Sequence, residues 1–397
     1  MQPFKPCRFE GFFLDRRSRR SLSETEPASA AFCVFSGPGL LERGSVVPPH
    51  GFRHRLQRHF ALQILLLAVA LGVTVVASSA MGYIRIPPWA VLKIVIGKIT
   101  ASAHWTAEMD PVHPVVVLDV RLPRILTAAL VGAGLAACGA VFQGILLNPL
   151  ADPYTLGVSA GAAFGAALAI LLNLGGAGGF SVPLFAFAGA VATLFAVIGL
   201  SSSGEGLSSN NLILSGIIVA AILSAGISFL KYVAEEQVSV IIFWLMGSFA
   251  AKTWPEVALT ASVVTLGLMV FLFFARDLNL VSLGGRAAAS LGVDARSVSL
   301  LLLVTASLVA GICVSVSGII GFVGLLVPHM VRFVTGPDNR RVIPASLLAG
   351  AVLLLGADTV TRAVLPSEVP IGVLTALIGG PFFCYIFRKR QQALKGT

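Results

Sequence analysis

Residues 121–165 read RLPRILTAALVGAGLAACGAVFQGILLNPLADPYTLGVSAGAAFG. From Ile125 to Leu147 no residue is charged, and Ala, Gly, Leu and Val dominate. A helix of about 20 such residues crosses the hydrocarbon core of a bilayer. The polar break NPLADP follows, and a second apolar run (155–173) begins. Backbone N–H and C=O groups find no water in lipid, so both runs read as membrane-spanning helices.

The same stretch carries two false leads. GVSAG (157–161) fits the G-x-S-x-G nucleophile elbow, which needs a preceding strand on a soluble sheet. Here it opens an apolar helix. GAGLAA (132–137) fits a dinucleotide fingerprint but lies inside an apolar helix, where it reads as a packing stripe. Gly157, Gly161 and Gly165 are four apart on one face, and Gly318, Gly321 and Gly324 three apart. Both sets read as stripes that let helix backbones approach closely.

The rest of the 397-residue chain extends this reading. It is 56% hydrophobic and 12% charged, against about 25% charged in soluble domains. Apolar runs at 61–80, 124–146, 155–173, 183–200, 210–230, 255–275, 298–317, 319–334, 342–362 and 370–387 give ten candidate spans. The 319–334 run is short for a full crossing. The composition therefore predicts an all-α polytopic membrane protein of about ten transmembrane helices.

Ten of the 28 Lys/Arg fall in residues 1–60, an Arg/Ser/Pro-rich segment expected to be a disordered extension and a candidate for a start called too early. With both termini on the cytoplasmic side, the basic segments 276–297 and 332–341 and the stretch RKRQQALKGT (388–397), which leads into the tail 391–397, also fall inside, as positive loops should. The connector 81–123 is the exception, with Arg85, Lys93, Lys98 and Arg121 on the outer side. RLPR is thus an outward-facing basic pair. No aromatic-interleaved basic face suggests nucleic acid.

The five cysteines lack CxxC spacing and the six histidines lack an HxxxH pair, so no metal site is expected. IGKIT (96–100) falls short of the GxxxxGK[ST] phosphate loop. His329 reads as a helix-end residue after Pro328. Asp358 and Arg362, four apart, are expected to pair on one helix face. Segment 276–297 places Leu280, Leu283, Ala287 and Leu291 at helical spacing around Gly284–Gly285. That pattern predicts two short helices on the cytoplasmic face, a surface able to dock a soluble partner.

Three separated stretches, 121–165, LNLVSLGGRAAASLGV (278–293) and GIIGFVGLLVPHMVRFVTGPDNRR (318–341), resemble the FecCD family. These are the permeases of ABC importers for iron–siderophore, haem and cobalamin. The resemblance covers about residues 61–390 and implies the type II ABC importer permease fold. It implies a homodimer in the bacterial inner membrane, two ABC ATPase subunits that bind ATP and Mg, and a periplasmic or lipid-anchored binding protein. It implies no catalytic residue and no cofactor on this chain. By motif position it assigns binding-protein docking to Arg121, Arg124 and Arg362. It assigns a cytoplasmic gate to Asn148, Leu150, Ser209 and Asn210. It assigns ATPase coupling to Leu283, Gly284, Ala287, Leu291, Gly292 and Val293. The expected cargo is a ferric chelate, with haem or cobalamin as alternatives. From other classes, an ion-gradient transporter would need acids near the midplane, where Asp358 is the main candidate. An intramembrane serine hydrolase would rest on Ser159 and His329.

Overall fold

The computed structural model describes residues 50–82, 84, 86–102, 109–174, 180–203, 206–363 and 368–395. Most of the 1–60 extension, Arg85 and the last two residues of the tail lie outside these. The chain divides at residues 53 and 54, and only the start of α1 represents the first unit.

Helix α1 (His50–Ala80) begins ahead of the apolar run 61–80. The connector after it is not slack. It holds α2 (Pro88–Ile99), which opens on proline as helices tolerate at their first turn. It also holds α3 (Val112–Val115) and a π-helical turn (Val116–Arg121), which run straight into α4 (Leu122–Ile145). Together these make one 34-residue apolar helix. The π turn has a cause in the sequence. Pro123 has no N–H and its ring crowds the carbonyl four residues back, so the preceding turn widens. Leu122 N–H then donates to Val117 O instead of to Leu118 O. The released Leu118 carbonyl accepts the Trp254 indole N–H at 3.1 Å.

Beyond α4 come a 3-10 turn (Pro153–Leu156), α5 (Val158–Leu171) and α6 (Ser181–Ser201). Two short strands, β1 (Ser202–Ser203) and β2 (Gly206–Leu207), pair antiparallel and lead to α7 (Ser209–Val233). A short α8 (Val238–Leu245) precedes α9 (Trp254–Phe273). Two small helices, α10 (Ala275–Val281) and α11 (Gly285–Ser290), then lead to α12 (Ala295–Ser317). The chain ends with α13 (Val323–Thr335), α14 (Asn339–Ala363) and α15 (Ile371–Lys395). Among the described residues seven helices are long and apolar enough to cross a membrane, and 158–171, 323–335 and 371–385 are shorter apolar helices. All ten runs read from the sequence thus fall on apolar helices. The short run at 319–334 becomes a 13-residue helix after an irregular approach over 318–322.

Helix α4 is the axis of the bundle, packed by α9, α12, α13 and α14. It has neighbours on every side and is made of small residues, so backbones touch. A Cβ on Gly132 would overlap the Gly350 carbonyl of α14, and a Cβ on Gly350 would overlap that of Gly132. Gly139 meets Gly324 of α13 in the same way. In the first glycine stripe Gly161 and Gly165 pack against the α6 backbone at Gly189 and Phe185, while Gly157 is the left-handed cap ahead of α5 (φ +75°) and backs onto Gly216 of α7. The second stripe keeps less of the pattern. Gly318 ends α12 at a φ of +73° and Gly321 lies in the irregular approach, so only Gly324 sits in a helix.

Candidate functional site

Two polar clusters sit at opposite ends of the antiparallel α4–α14 pair. The first gathers the three arginines singled out in the sequence. Arg121, at the end of the π turn, is only 5% exposed. It donates to Ser79 O at 2.7 Å and to Ile84 O. Arg362 donates to Ser78 O at 2.7 Å, Ser78 Oγ at 3.0 Å and Met81 O at 2.9 Å. These carbonyls belong to the last turn of α1 and the chain just beyond it. Terminal helix carbonyls have no intrahelical partner and carry the negative end of the helix dipole. The two arginines therefore cap α1.

Arg124 does something else. Its Nε lies 3.2 Å from both Asp358 oxygens and its Nη2 2.9 Å from Oδ1. Its Nη1 lies 3.1 Å from Glu368 Oε1. Asp358 thus pairs with Arg124 across two helices, and the expected Asp358–Arg362 pair along one helix gives way to it. The reason is direction: Arg362 reaches back to α1, while Asp358 is buried toward α4 at 1% exposure. The triad borders a cavity of about 160 Å³ also lined by Phe243 of α8, Gly247, Ser248 and Ile371. Of the three arginines read as a docking set, Arg121 is buried, while Arg124 and Arg362 keep part of their surface exposed.

The second cluster was not read from the sequence. Asn279 of α10 donates to Asp338 Oδ1 at 2.7 Å, and its Oδ1 accepts both Asn339 N–H and Asn339 Nδ2 at 2.9 Å. Asn339, 1% exposed, accepts from Arg332 Nη2 at 3.1 Å. The same nitrogen donates to Ala140 O of α4 at 3.1 Å. Four helices (α4, α10, α13 and α14) meet in this network. Its only sequence signal is polar residues clustered where two apolar runs end.

The 276–297 segment folds as two short helices, α10 and α11, with Gly284 between them at a φ of +103°. That conformation favours glycine. Leu283 is 64% and Leu291 60% exposed, while Ala288 is buried. Gly284, Ala287, Gly292 and Val293 lie on the same element. Among the residues that the family resemblance assigns to a gate, Asn148 Oδ1 accepts the Leu150 N–H at 2.9 Å, and Leu150 is exposed. Ser209 and Asn210 form the first turn of α7. Their elements meet where Gly216 of α7 backs onto Thr155 and Leu156. Between them, Asp152 caps the 3-10 turn, accepting from Tyr154 N–H at 3.1 Å and Thr155 N–H at 3.0 Å. Burial pushes its carboxyl up to about 6 against those two bonds. GVSAG follows this turn with no strand before it, which removes the context a hydrolase elbow needs.

A family model for the FecCD transport family matches residues 66–389. The chain belongs to the FecCD family. Among FecCD-related proteins, it is 44% identical to a cobalamin import system permease, BtuC, of Halobacterium salinarum over 70% of this chain and 74% of that one. It is 38% identical to the Fe(3+)-citrate import system permease YfmE of Bacillus subtilis over 85% of this chain and 98% of that one. A solved structure described as an inward-facing metal-chelate type ABC transporter superposes with a TM-score of 0.71 at 34% identity, covering 82% of this chain and 98% of that one. As a FecCD protein the chain is a multi-pass permease subunit of an ABC importer, and ATP hydrolysis belongs to partner subunits.

Proposed function

We propose that this permease imports a ferric chelate of the iron–siderophore type across the bacterial cytoplasmic membrane. In this reading it works as a homodimer with two ATPase subunits, which hold ATP and Mg, and a periplasmic or lipid-anchored binding protein. Both termini lie on the cytoplasmic side. The carrying observation is the α10–α11 element, which offers exposed Leu283 and Leu291 at the end of the bundle opposite Arg124. Exposed apolar side chains on a short helix pair suit burial in a soluble partner's groove. Leu283, Gly284, Ala287, Leu291, Gly292 and Val293 form that coupling surface. Asn148, Leu150, Ser209 and Asn210 form the cytoplasmic gate. Arg124 and Arg362 receive acidic groups of the binding protein, with Arg121 holding the rim in place.

The iron-citrate relative supports the ferric chelate, and the cobalamin relative supports a second reading within the family. Haem is the third. An ion-gradient mechanism has little support, since Asp358 is engaged by Arg124. The test is uptake by proteoliposomes holding permease, ATPase and binding protein. ATP-dependent uptake of a ferric siderophore, with haem and cyanocobalamin excluded, is expected. Uptake of cyanocobalamin alone overturns the cargo. Uptake driven by an ion gradient without the ATPase overturns the class.

A further inference from the structure

We propose that Glu368 is an exchangeable intramolecular carboxylate that occupies Arg124 until the binding protein's carboxylate replaces it. This rests on the docking reading above. Arg124 holds two carboxylates of different standing. Asp358 takes the Nε–Nη2 edge and is 1% exposed, while Glu368 takes Nη1 and is 54% exposed. Removing Asp358 would strand a buried guanidinium, a large penalty. Releasing Glu368 returns a half-hydrated carboxylate to water, and exposed pairs of this kind are weak. Of the two, Glu368 is the one that leaves.

The geometry also makes its departure necessary for a new carboxylate contact at Nη1. With Nε and Nη2 committed to Asp358, Nη1 is the donor that faces outward, and Glu368 covers it with both oxygens, at 3.1 and 3.3 Å. A foreign carboxylate gains that nitrogen by displacing Glu368. The place of Glu368 in the chain gives the exchange a consequence. It precedes Pro370 and Ile371, where α15 begins, and Ile371 N–H donates to Gly247 O and Gly372 N–H to Met246 O. Releasing Glu368 unties the start of α15 from α4 while its tie to the turn after α8 persists.

The test measures docking of the cognate substrate-binding protein to the complete permease–ATPase complex in nanodiscs. Glu368→Gln is expected to tighten docking roughly two- to fivefold, the range of a weak exposed pair. Glu368→Asp keeps the charge but is one methylene short of Nη1, so it too is expected to tighten docking. Unchanged or weaker docking in Glu368→Gln overturns the exchange. So does Glu368→Asp at the wild-type value, which would reduce the effect to net charge. Arg124→Glu separates this from the parent reading: docking unaffected by it sinks the docking site itself. Docking lost in Arg124→Glu but unmoved by Glu368→Gln sinks the exchange alone.

Discussion

Arg124 and Asp358, 234 positions apart, are joined at 2.9 Å where α4 and α14 meet. The pair is nearly enclosed, so removing one member leaves the other charged and unpaired. Asp358→Ala is expected to destabilise the protein by about 3–5 kcal/mol. Arg124→Met with Asp358→Leu together should recover most of that. Thermal unfolding of the three variants in detergent checks this, and additive losses in the double variant would contradict it.

Charge reversal distinguishes the arginines. Arg121→Glu strips the last carbonyls of α1 of their donor and buries an unpaired acid. Its expected effect is on folding, seen as a lower melting temperature and faster amide exchange over residues 77–82. Arg362→Glu strips α1 as well but stands at the rim, so binding-protein docking should also weaken. Attraction between exposed charges is screened, so that docking should fall as salt rises.

Gly139 and Gly132 touch other backbones, whereas Gly72, Gly199 and Gly356 face open space. Gly139→Ala must push α13 away from α4, at a cost at or above the usual 1–3 kcal/mol of overpacking. The same change at Gly356 is expected to be neutral or slightly stabilising, since alanine favours helix. Equal yields of folded protein from both variants would refute the packing described.

The Asn279–Asn339 network ties α10 to the bundle. Asn279→Ala removes three hydrogen bonds and leaves Asn339 Nδ2 buried without that partner. In the reconstituted importer, ATP hydrolysis should persist while substrate moved per ATP drops severalfold. Leu283→Asp, by contrast, should lower ATPase binding itself.

Asp152 gives a pH signature. Burial raises its folded value to about 6, above the ordinary aspartate value of 3.8, so the neutral acid is the form that folding favours. Its contribution to stability is full below about 4 and is lost as pH rises through about 6. The loss amounts to about 3 kcal/mol by pH 8. Asp152→Asn should flatten that slope between pH 4 and 7, as read by melting temperature against pH.

The ten apolar runs were legible because hydropathy over about 20 residues is a local property. The helix pair over 276–297 was legible too, since the spacing of Leu280, Leu283, Ala287 and Leu291 around two glycines is also local. Helices α2 and α8 were missed because short helices inside a connector carry no span signal. The π turn escaped because Pro123 near the start of a run looks like an ordinary first-turn proline. The partners of the arginines were beyond reach for another reason. Spacing four residues apart favours Asp358 with Arg362, and only the three-dimensional path brings Arg124 from another helix to the same carboxylate.

The reciprocal contact of Gly132 and Gly350 has a mechanical meaning. Two helices whose backbones interlock cannot slide or roll past each other, so α4 and α14 tilt together. Helix α4 has 24 residues, about 36 Å at 1.5 Å per residue. A tilt of roughly 5° about its middle swings each end about 1.6 Å, in opposite directions. Arg124 and Asp358 ride on one end, Ala140 and Asn339 on the other. The pair is a lever, and a tug at the arginine rim arrives at α10 as a push.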